Sequence, residues 1–280
     1  MKILVLGGGG FVGRHLCPKL SAAGHDVIQT GHTSTDLPSV DVMDFLSLSQ
    51  AISRIKPDVV VNLAGRLVRH TPIGTDFIVN SEGPKNLLKA IDNLNYKPFL
   101  IHLASSSEPI AKNLPAESEY GITKAIGTDL VRQSLESRTH RGLIVCVHNL
   151  YGPNLPKDKL ISQIFFSATE GIELQINFSE RVRDFVYIED FTGVFLRILA
   201  AIDDLEIESV KYLEIGTGVG TSIYKLAELI YGILEKKPKL KMLETIDLNP
   251  HRVFQANTKF ETLCETSLSV GLEKIKGEFI

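Results

Sequence analysis

A tyrosine and a lysine four residues apart, Tyr120 and Lys124 in Tyr120-Gly121-Ile122-Thr123-Lys124, share one face of any helix that contains them. That spacing makes a proton-handling pair. A free tyrosine ionises near pH ~10, and bringing it into use near pH ~7 requires roughly 4 kcal/mol. A cation about 5 Å away at an effective dielectric of ~20 supplies roughly 3 kcal/mol of this, and a positively charged nicotinamide would add to it. Lys124 is therefore expected to lower the Tyr120 pKa, and the chemistry expected is redox work on an alcohol or ketone.

A second chemical feature stands at the start of the chain, in Gly7-Gly8-Gly9-Gly10-Phe11-Val12-Gly13. After a strand and before a helix, Gly7 permits a tight turn, Gly10 lets a pyrophosphate approach the backbone, and Gly13 allows close packing. The helix N-terminus then attracts the negative charge. An acidic residue about 20 residues on usually binds the ribose 2′-hydroxyl of NAD. Gly31 and His32 occupy that place, and His32, Thr33 and Ser34 offer donors to a 2′-phosphate. No arginine is there, so NADP(H) is only slightly favoured within NAD(P), and a solvated polar loop is the bland reading of the same residues.

Asp41-Val42 is placed to run under an adenine, Asp41 accepting from its amine and Val42 packing on the ring. Leu63-Ala64-Gly65 ends a strand with small residues, as a cofactor lying on backbone requires. Asn80 on the following helix could brace that pocket or be surface. Ser105-Ser106-Ser107-Glu108 follows another strand just before Tyr120, where a hydroxyl can hold a substrate oxygen for proton transfer. A Ser-His-Asp hydrolase is the competing use of such a serine. The chain has no Gly-x-Ser-x-Gly elbow, and His102, inside an apolar strand, reads as a satisfied core histidine. Arg183 precedes a strand further on and suits bidentate phosphate recognition; an Arg183-Asp184 surface pair is the plain alternative.

These residues need a framework, and the hydrophobic pattern supplies one. Short Val-, Ile- and Leu-rich runs at 2–6, 26–30, 58–63, 99–104 and 143–148 alternate with helical periodicity at 11–23, 45–55, 76–94 and 120–138. That is the pattern of an α/β protein, a Rossmann-type doubly wound parallel sheet covered on both faces. Residues 1–150 form the dinucleotide-binding domain carrying the catalytic residues. After Tyr151-Gly152-Pro153 the texture changes, and 151–280 read mainly as a smaller C-terminal substrate lobe. Its expected elements are a helix over 160–170, strands over 173–176, 185–188 and 212–215, and helices over 191–201 and 222–234. The strand at 212–215 is expected to return to the main sheet.

With 280 residues and 44% hydrophobic content the chain can bury a substantial core. A net charge of -3 provides no basic field for nucleic acid. Cys17, Cys146 and Cys264 are odd in number and far apart, so neither a disulfide framework nor a metal site is expected, and a reducing cytoplasm fits. No targeting or membrane-spanning segment is expected either.

Taken together the motifs resemble the extended short-chain dehydrogenase/reductases, in the NAD-dependent epimerase/dehydratase group acting on nucleotide sugars. The likeness runs through Gly-x-x-Gly-Phe11-Val12-Gly, Asp41-Val42, Leu63-Ala64-Gly65, the serine run, Tyr-x-x-x-Lys, Asn149-Leu150-Tyr151-Gly152-Pro153 and Arg183-Asp184-Phe185-Val186-Tyr187. The resemblance implies Tyr120 as acid/base, Lys124 as its electrostatic partner and ribose anchor, and Ser106 as donor to the substrate oxygen, with Ser107 the near alternative. It further implies that Asn149 and Arg183 hold substrate, that Glu108 could serve dehydratase or decarboxylase chemistry, although Ser107 stands where many dehydratases have an Asp, and that the protein is a homodimer.

Departures from the family pattern narrow the reaction. Pro109-Ile110-Ala111 replaces the usual Val-Tyr-Gly, Cys146 stands where an Arg is frequent, Asn257 replaces a frequent Asp, and only 14 residues separate Ser106 from Tyr120. This compactness is similar to reductases of nucleotide-linked 4-keto-6-deoxyhexoses. Reduction at C4 is the first expectation. A 4-epimerase or a dehydratase/decarboxylase with tightly bound NAD is the alternative, and a dinucleotide-binding regulator without activity is a remote one.

Overall fold

The computed structural model describes residues 1–31, 38–66, 75–108, 119–177, 179–202, 212–243 and 264–280. His32 and its neighbours, Pro109-Ile110-Ala111 and Asn257 lie outside them. The chain forms two compact units, Met1–Val147 with Phe195–Leu213, and His148–Val194 with Glu214–Ile280.

The first unit opens with β1 (Lys2–Leu6), α1 (Phe11–Ala22), β2 (Asp26–Thr30), α2 (Phe45–Ile55) and β3 (Val59–Asn62). It continues with α3 (Thr75–Asp92), β4 (Phe99–Ser105), α4 (Glu119–Glu136) and β5 (Gly142–Val147). β3 and β5 are buried at every position, as parallel strands covered on both faces must be. Asp44 starts α2 by accepting from the Leu46 and Ser47 amides at 2.9 and 3.2 Å, satisfying two orphan donors of the first turn. The main core packs Leu4, Leu6, Val60, Leu100 and Ile144 of the sheet against Leu48, Ile91 and Val131 of the helices.

The chain continues through β6 (Asn149–Tyr151), α5 (Leu160–Glu170), β7 (Leu174–Asn177), β8 (Val182–Tyr187), α6 (Ile188–Ala200) and β9 (Tyr212–Ile215). β10 (Gly220–Ser222), α7 (Ile223–Ile233), β11 (Leu240–Leu243) and α8 (Leu268–Ile275) complete it. The main sheet has the order β2-β1-β3-β4-β5-β9, so the strand over 212–215 does return to it. Its β1 to β5 ladders are all parallel. The chain leaves β1 towards β2 on one side and then crosses to β3 on the other, and at such a switch point the carboxyl ends of the strands open a ligand crevice. This is the expected Rossmann-type doubly wound fold.

In the second unit β6 pairs in parallel with β8, which pairs antiparallel with β10. β7 and β11 form a separate parallel pair. Several boundaries differ from expectation by one to three residues. The strand read at 185–188 begins at Val182, and α6 follows it directly from Ile188, with Glu189 and Asp190 in its first turn favouring the positive helix end. The run read to His148 stops at Val147, and Asn149 starts a strand of another sheet.

Candidate active site

The glycine turn leaves β1 in a left-handed conformation at Gly7, with φ +79°. A Cβ there would also stand 2.9 Å from the Ala64 nitrogen, so β1 and the end of β3 meet where only glycine fits. Gly13 is held more tightly still. Its Cβ would lie 2.3 Å from the Gly8 oxygen and 2.5 Å from the Gly8 Cα. Gly10 is the N-cap of α1 and has no side chain to cover the first-turn amides of Phe11, Val12 and Gly13. Bare amides at a helix N-terminus, reached over side-chain-free backbone, fit the pyrophosphate of a dinucleotide.

Other expected cofactor residues lie along the same unit. Asp41 is half-buried and accepts the Met43 amide through one carboxylate oxygen at 2.9 Å. Val42 is part of the main core. Ala64 donates its amide to Asn62 Oδ1 at 3.2 Å, and a Cβ on Gly65 would meet Asn80 Oδ1 at 3.3 Å and Lys124 Nζ at 3.9 Å. The small residues after β3 thus bring backbone close to Lys124. Asn80 is buried, not surface. It accepts the Arg66 amide at 2.9 Å, and its Nδ2 donates to the Arg66 carbonyl and the Thr123 hydroxyl, each at 2.9 Å.

Tyr120 and Lys124 sit in the first half of α4, and Ser105 to Glu108 at the carboxyl end of β4. Lys124 is 6% exposed and donates to the Leu103 carbonyl at 2.7 Å. Burial lowers its pKa, against the opposing pull of Glu108 and Cys146. Glu108, 7% exposed, accepts the Ser105 amide at 2.8 Å. Burial raises the Glu108 pKa, while Lys124, the Thr128 hydroxyl and the Ser105 amide all favour its ionised form.

The expected lowering of the Tyr120 pKa is not met. Burial, reinforced by the negative charge of Glu108 and by Cys146, pushes the phenol up to about 12, and a Ser105 hydrogen bond opposes this only in part. Lys124 donates to the Leu103 carbonyl. The protein groups around Tyr120 therefore favour its neutral phenol.

The hydroxyl that reaches Tyr120 is Ser105, which sequence reasoning did not single out. Its Oγ accepts the Ser107 amide at 3.1 Å, leaving its proton for the Tyr120 oxygen. Ser105 extends β4, its register partner in β5 being Val147; a strand ending at Ala104 would have left it in the loop. Ser106 is buried and donates its amide to the Val147 carbonyl at 3.0 Å.

In the second unit Asn149 and Arg183 lie on the paired strands β6 and β8. Asn149 Nδ2 donates to the Asp184 carbonyl at 3.2 Å, and Arg183 Nη1 to the Val182 carbonyl at 2.9 Å. The alternative of an Arg183-Asp184 surface pair fails, because Asp184 is 0% exposed. Its carboxylate accepts the Thr217 and Gly218 amides at 2.9 and 3.0 Å and the Thr217 hydroxyl at 2.5 Å. His102 is a satisfied core histidine, bonded through Nδ1 to Asn62 at 3.1 Å and through Nε2 to Thr128 at 3.2 Å.

Comparisons with known proteins agree with this arrangement. The family model for the NAD dependent epimerase/dehydratase family matches residues 3–211. A GDP-6-deoxy-D-talose 4-dehydrogenase of Aggregatibacter actinomycetemcomitans is 27% identical over 261 residues, covering 87% of this chain and 84% of its own. A CDP-abequose synthase of Salmonella muenchen is 24% identical over 98% of this chain and 94% of its own. Among solved structures, a Thermotoga maritima UDP-glucose 4-epimerase with UDP-glucose superposes with a TM-score of 0.83 at 24% identity, covering 100% of this chain and 98% of its own. The glycine turn, the Tyr120/Lys124 pair and the matched length lead to one conclusion: this chain belongs to the NAD dependent epimerase/dehydratase family.

Proposed function

We propose that this NAD(P)-dependent enzyme reduces a nucleotide-linked 4-keto-6-deoxyhexose at C4, with Tyr120 donating the proton to the new alcohol. The observation that carries the reading is the placing of Tyr120 and Lys124 on α4 beside the carboxyl end of β4, where Lys124 reaches the Leu103 carbonyl at 2.7 Å. Burial pushes the Tyr120 phenol up to about 12, which favours its protonated, proton-donating form. Glu108, the residue that dehydration would need near the sugar, is buried and engaged with the Ser105 amide. Two relatives are named for 4-oxidoreduction of 6-deoxytaloses carried on GDP or dTDP, which supports the same substrate class here.

A bound reduced nicotinamide supplies the hydride. The chain's own groups do the rest. The first-turn amides of α1 take the pyrophosphate, and Lys124 anchors the ribose beside Gly65. Ser106, with Ser107 and Glu108 next to it, lies at the substrate-oxygen end of β4, where Ser105 orients the phenol. Asn149 holds the sugar nucleotide, and Arg183 takes its diphosphate as a bidentate donor. The absence of an Arg after β2 and of an acidic residue at Gly31 tilts the cofactor slightly to NADP(H). A homodimeric, cytoplasmic protein accompanies this reading. Exposed Ile78 on α3 and Ile122 and Ile126 on α4 support the first part, and three buried free cysteines the second. No described helix is long and apolar enough to cross a membrane.

The test is the absorbance of reduced nicotinamide during incubation with a panel of nucleotide 4-keto-6-deoxysugars. Stoichiometric loss with product formation is expected. No loss with these ketones, together with conversion of the corresponding 4-hydroxy nucleotide sugars without net change in cofactor, would identify the epimerase or dehydratase alternative instead.

A further inference from the structure

Glu108 closes the turn after β4 by holding both main-chain groups of Ser105. Its Oε1 accepts the Ser105 amide at 2.8 Å, and its own amide donates to the Ser105 carbonyl at 2.9 Å. Inside that ring the Ser107 amide donates to Ser105 Oγ at 3.1 Å. Ser106, between them, is fixed from the other side, its amide donating to the Val147 carbonyl of β5 at 3.0 Å.

The pairing of β4 explains why an acceptor is wanted there. In a central parallel strand, successive residues turn their main-chain bonds to opposite neighbours. Phe99 donates to the Asp58 carbonyl at the start of β3, whereas Leu100 and Ser106 donate towards β5, to the Arg141 and Val147 carbonyls. Ser105, an even number of residues from Phe99, therefore turns its amide to the β3 side. β3 has ended by that point. Its register with β4 stops at Asn62 opposite His102, while β5 continues to Val147 opposite Ser105. The Ser105 amide thus loses its strand partner where the sheet splits, and the Glu108 side chain supplies the acceptor. Glu108 is 7% exposed and Ser106 4%, so water has little access to take its place.

We propose that Glu108 is a positioning residue for Ser106: its side chain stands in for the missing strand partner, holds the 105–108 turn closed and so sets where the Ser106 hydroxyl meets the substrate oxygen. This rests on the reading of Ser106 as the donor to that oxygen. Bracing the turn is work for any well-placed oxygen acceptor. Proton transfer to or from the sugar would need a carboxyl that titrates, and the two roles part company on substitution by an amide.

The experiment uses the full-length protein. Glu108→Gln keeps an oxygen acceptor but cannot titrate; Glu108→Leu, which fills similar space, and Glu108→Ala both remove the acceptor. Amide hydrogen exchange read by NMR, with no sugar present, should find the Ser105 amide protected in the parent and in Glu108→Gln, and exchanging about 10-fold or more faster in the Leu and Ala variants. Turnover of a nucleotide-linked 4-keto-6-deoxyhexose should fall about 3-fold in Glu108→Gln and about 30-fold or more in the other two. Combining Glu108→Leu with Ser106→Ala should cost no more than about 3-fold beyond Ser106→Ala alone, because one acts through the other. A Ser105 amide that exchanges equally fast in all four proteins, a Gln variant as slow in turnover as Leu, or losses that multiply in the double variant would each overturn the proposal. A parent protein that reduces none of these ketones would count against the 4-keto reductase reading instead, and the exchange rates alone would then decide whether Glu108 braces the turn.

Discussion

The side-chain amide of Asn80 holds both main-chain polar groups of Arg66, accepting its N–H and donating to its C=O, each at 2.9 Å. The same Nδ2 donates to Thr123 on α4, next to Lys124. One buried side chain thus ties the backbone after β3 to the helix that carries the Tyr/Lys pair. Asn80→Ala should loosen this segment and leave the Arg66 amide without its partner. A cofactor affinity lower by about 10-fold is expected in a fluorescence titration; affinity unchanged within error would show that the clamp plays no part in binding.

Gly13→Ala asks the Gly8 backbone to move. The added methyl would stand 2.3 Å from the Gly8 oxygen, and backbone in a tight turn cannot yield as a flexible side chain does. Overpacking of this kind costs roughly 1–3 kcal/mol. Urea denaturation should show that loss together with greatly weakened NAD(P)H binding. A variant as stable and as tightly binding as the parent would contradict the packing described here.

For Tyr120 the sign of the pH dependence follows from the raised pKa. Burial first, and Glu108 second, make the phenolate harder to form than in the unfolded chain. The protonated form is the one the fold favours, so its stabilising contribution is complete below about pH 10 and is lost as pH climbs towards about 12. A difference titration of phenolate absorbance between the parent and Tyr120→Phe, without cofactor, should place this group near about 12. Ionisation below the ordinary tyrosine value would instead restore the expectation that Lys124 activates it directly.

Asp184→Asn removes the charge from a carboxylate that accepts two amides and a hydroxyl with no solvent access. Charge-assisted bonds of this kind are worth about 1.5–3 kcal/mol each. A stability loss of roughly 3 kcal/mol is expected in urea, with weaker nucleotide-sugar binding because Asp184 lies between Arg183 and Thr217. Unchanged stability would mean that Asp184 does not organise this loop.

Much of this was legible in the sequence because local signals agreed with the fold. Phe45–Ile55 and Leu160–Glu170 form helices over the ranges their periodicity predicts, and Gly7 and Gly13 meet the backbone contacts that their spacing implies. The strands missed, Asn149–Tyr151, Gly220–Ser222 and Leu240–Leu243, are three or four residues long. No alternation can declare itself over so short a run.

Within the site, the Tyr/Lys pair was visible because four-residue spacing on a helix forces a shared face. The pKa of Tyr120 was not, since it depends on how deeply the phenol is buried and on which way Glu108 turns. Ser105 was overlooked for a related reason. Whether a serine run belongs to strand or loop is decided by ladder pairing with β5, and a signal existed in the apolar run that it extends. The roles of Asn62 and Thr128 left no sequence trace, because they arise from residues 40 and 26 positions from His102 meeting across the sheet.

The central claim is that hydride arrives at C4 of the sugar and Tyr120 supplies the proton. The most direct measurement is turnover of a nucleotide-linked 4-keto-6-deoxyhexose with NAD(P)H deuterated at the transferable position of the nicotinamide, followed by mass spectrometry and NMR of the sugar. One deuterium per product, located at C4, is the predicted result. Product carrying the label at another carbon, or carrying none while the sugar is nevertheless converted, would contradict it.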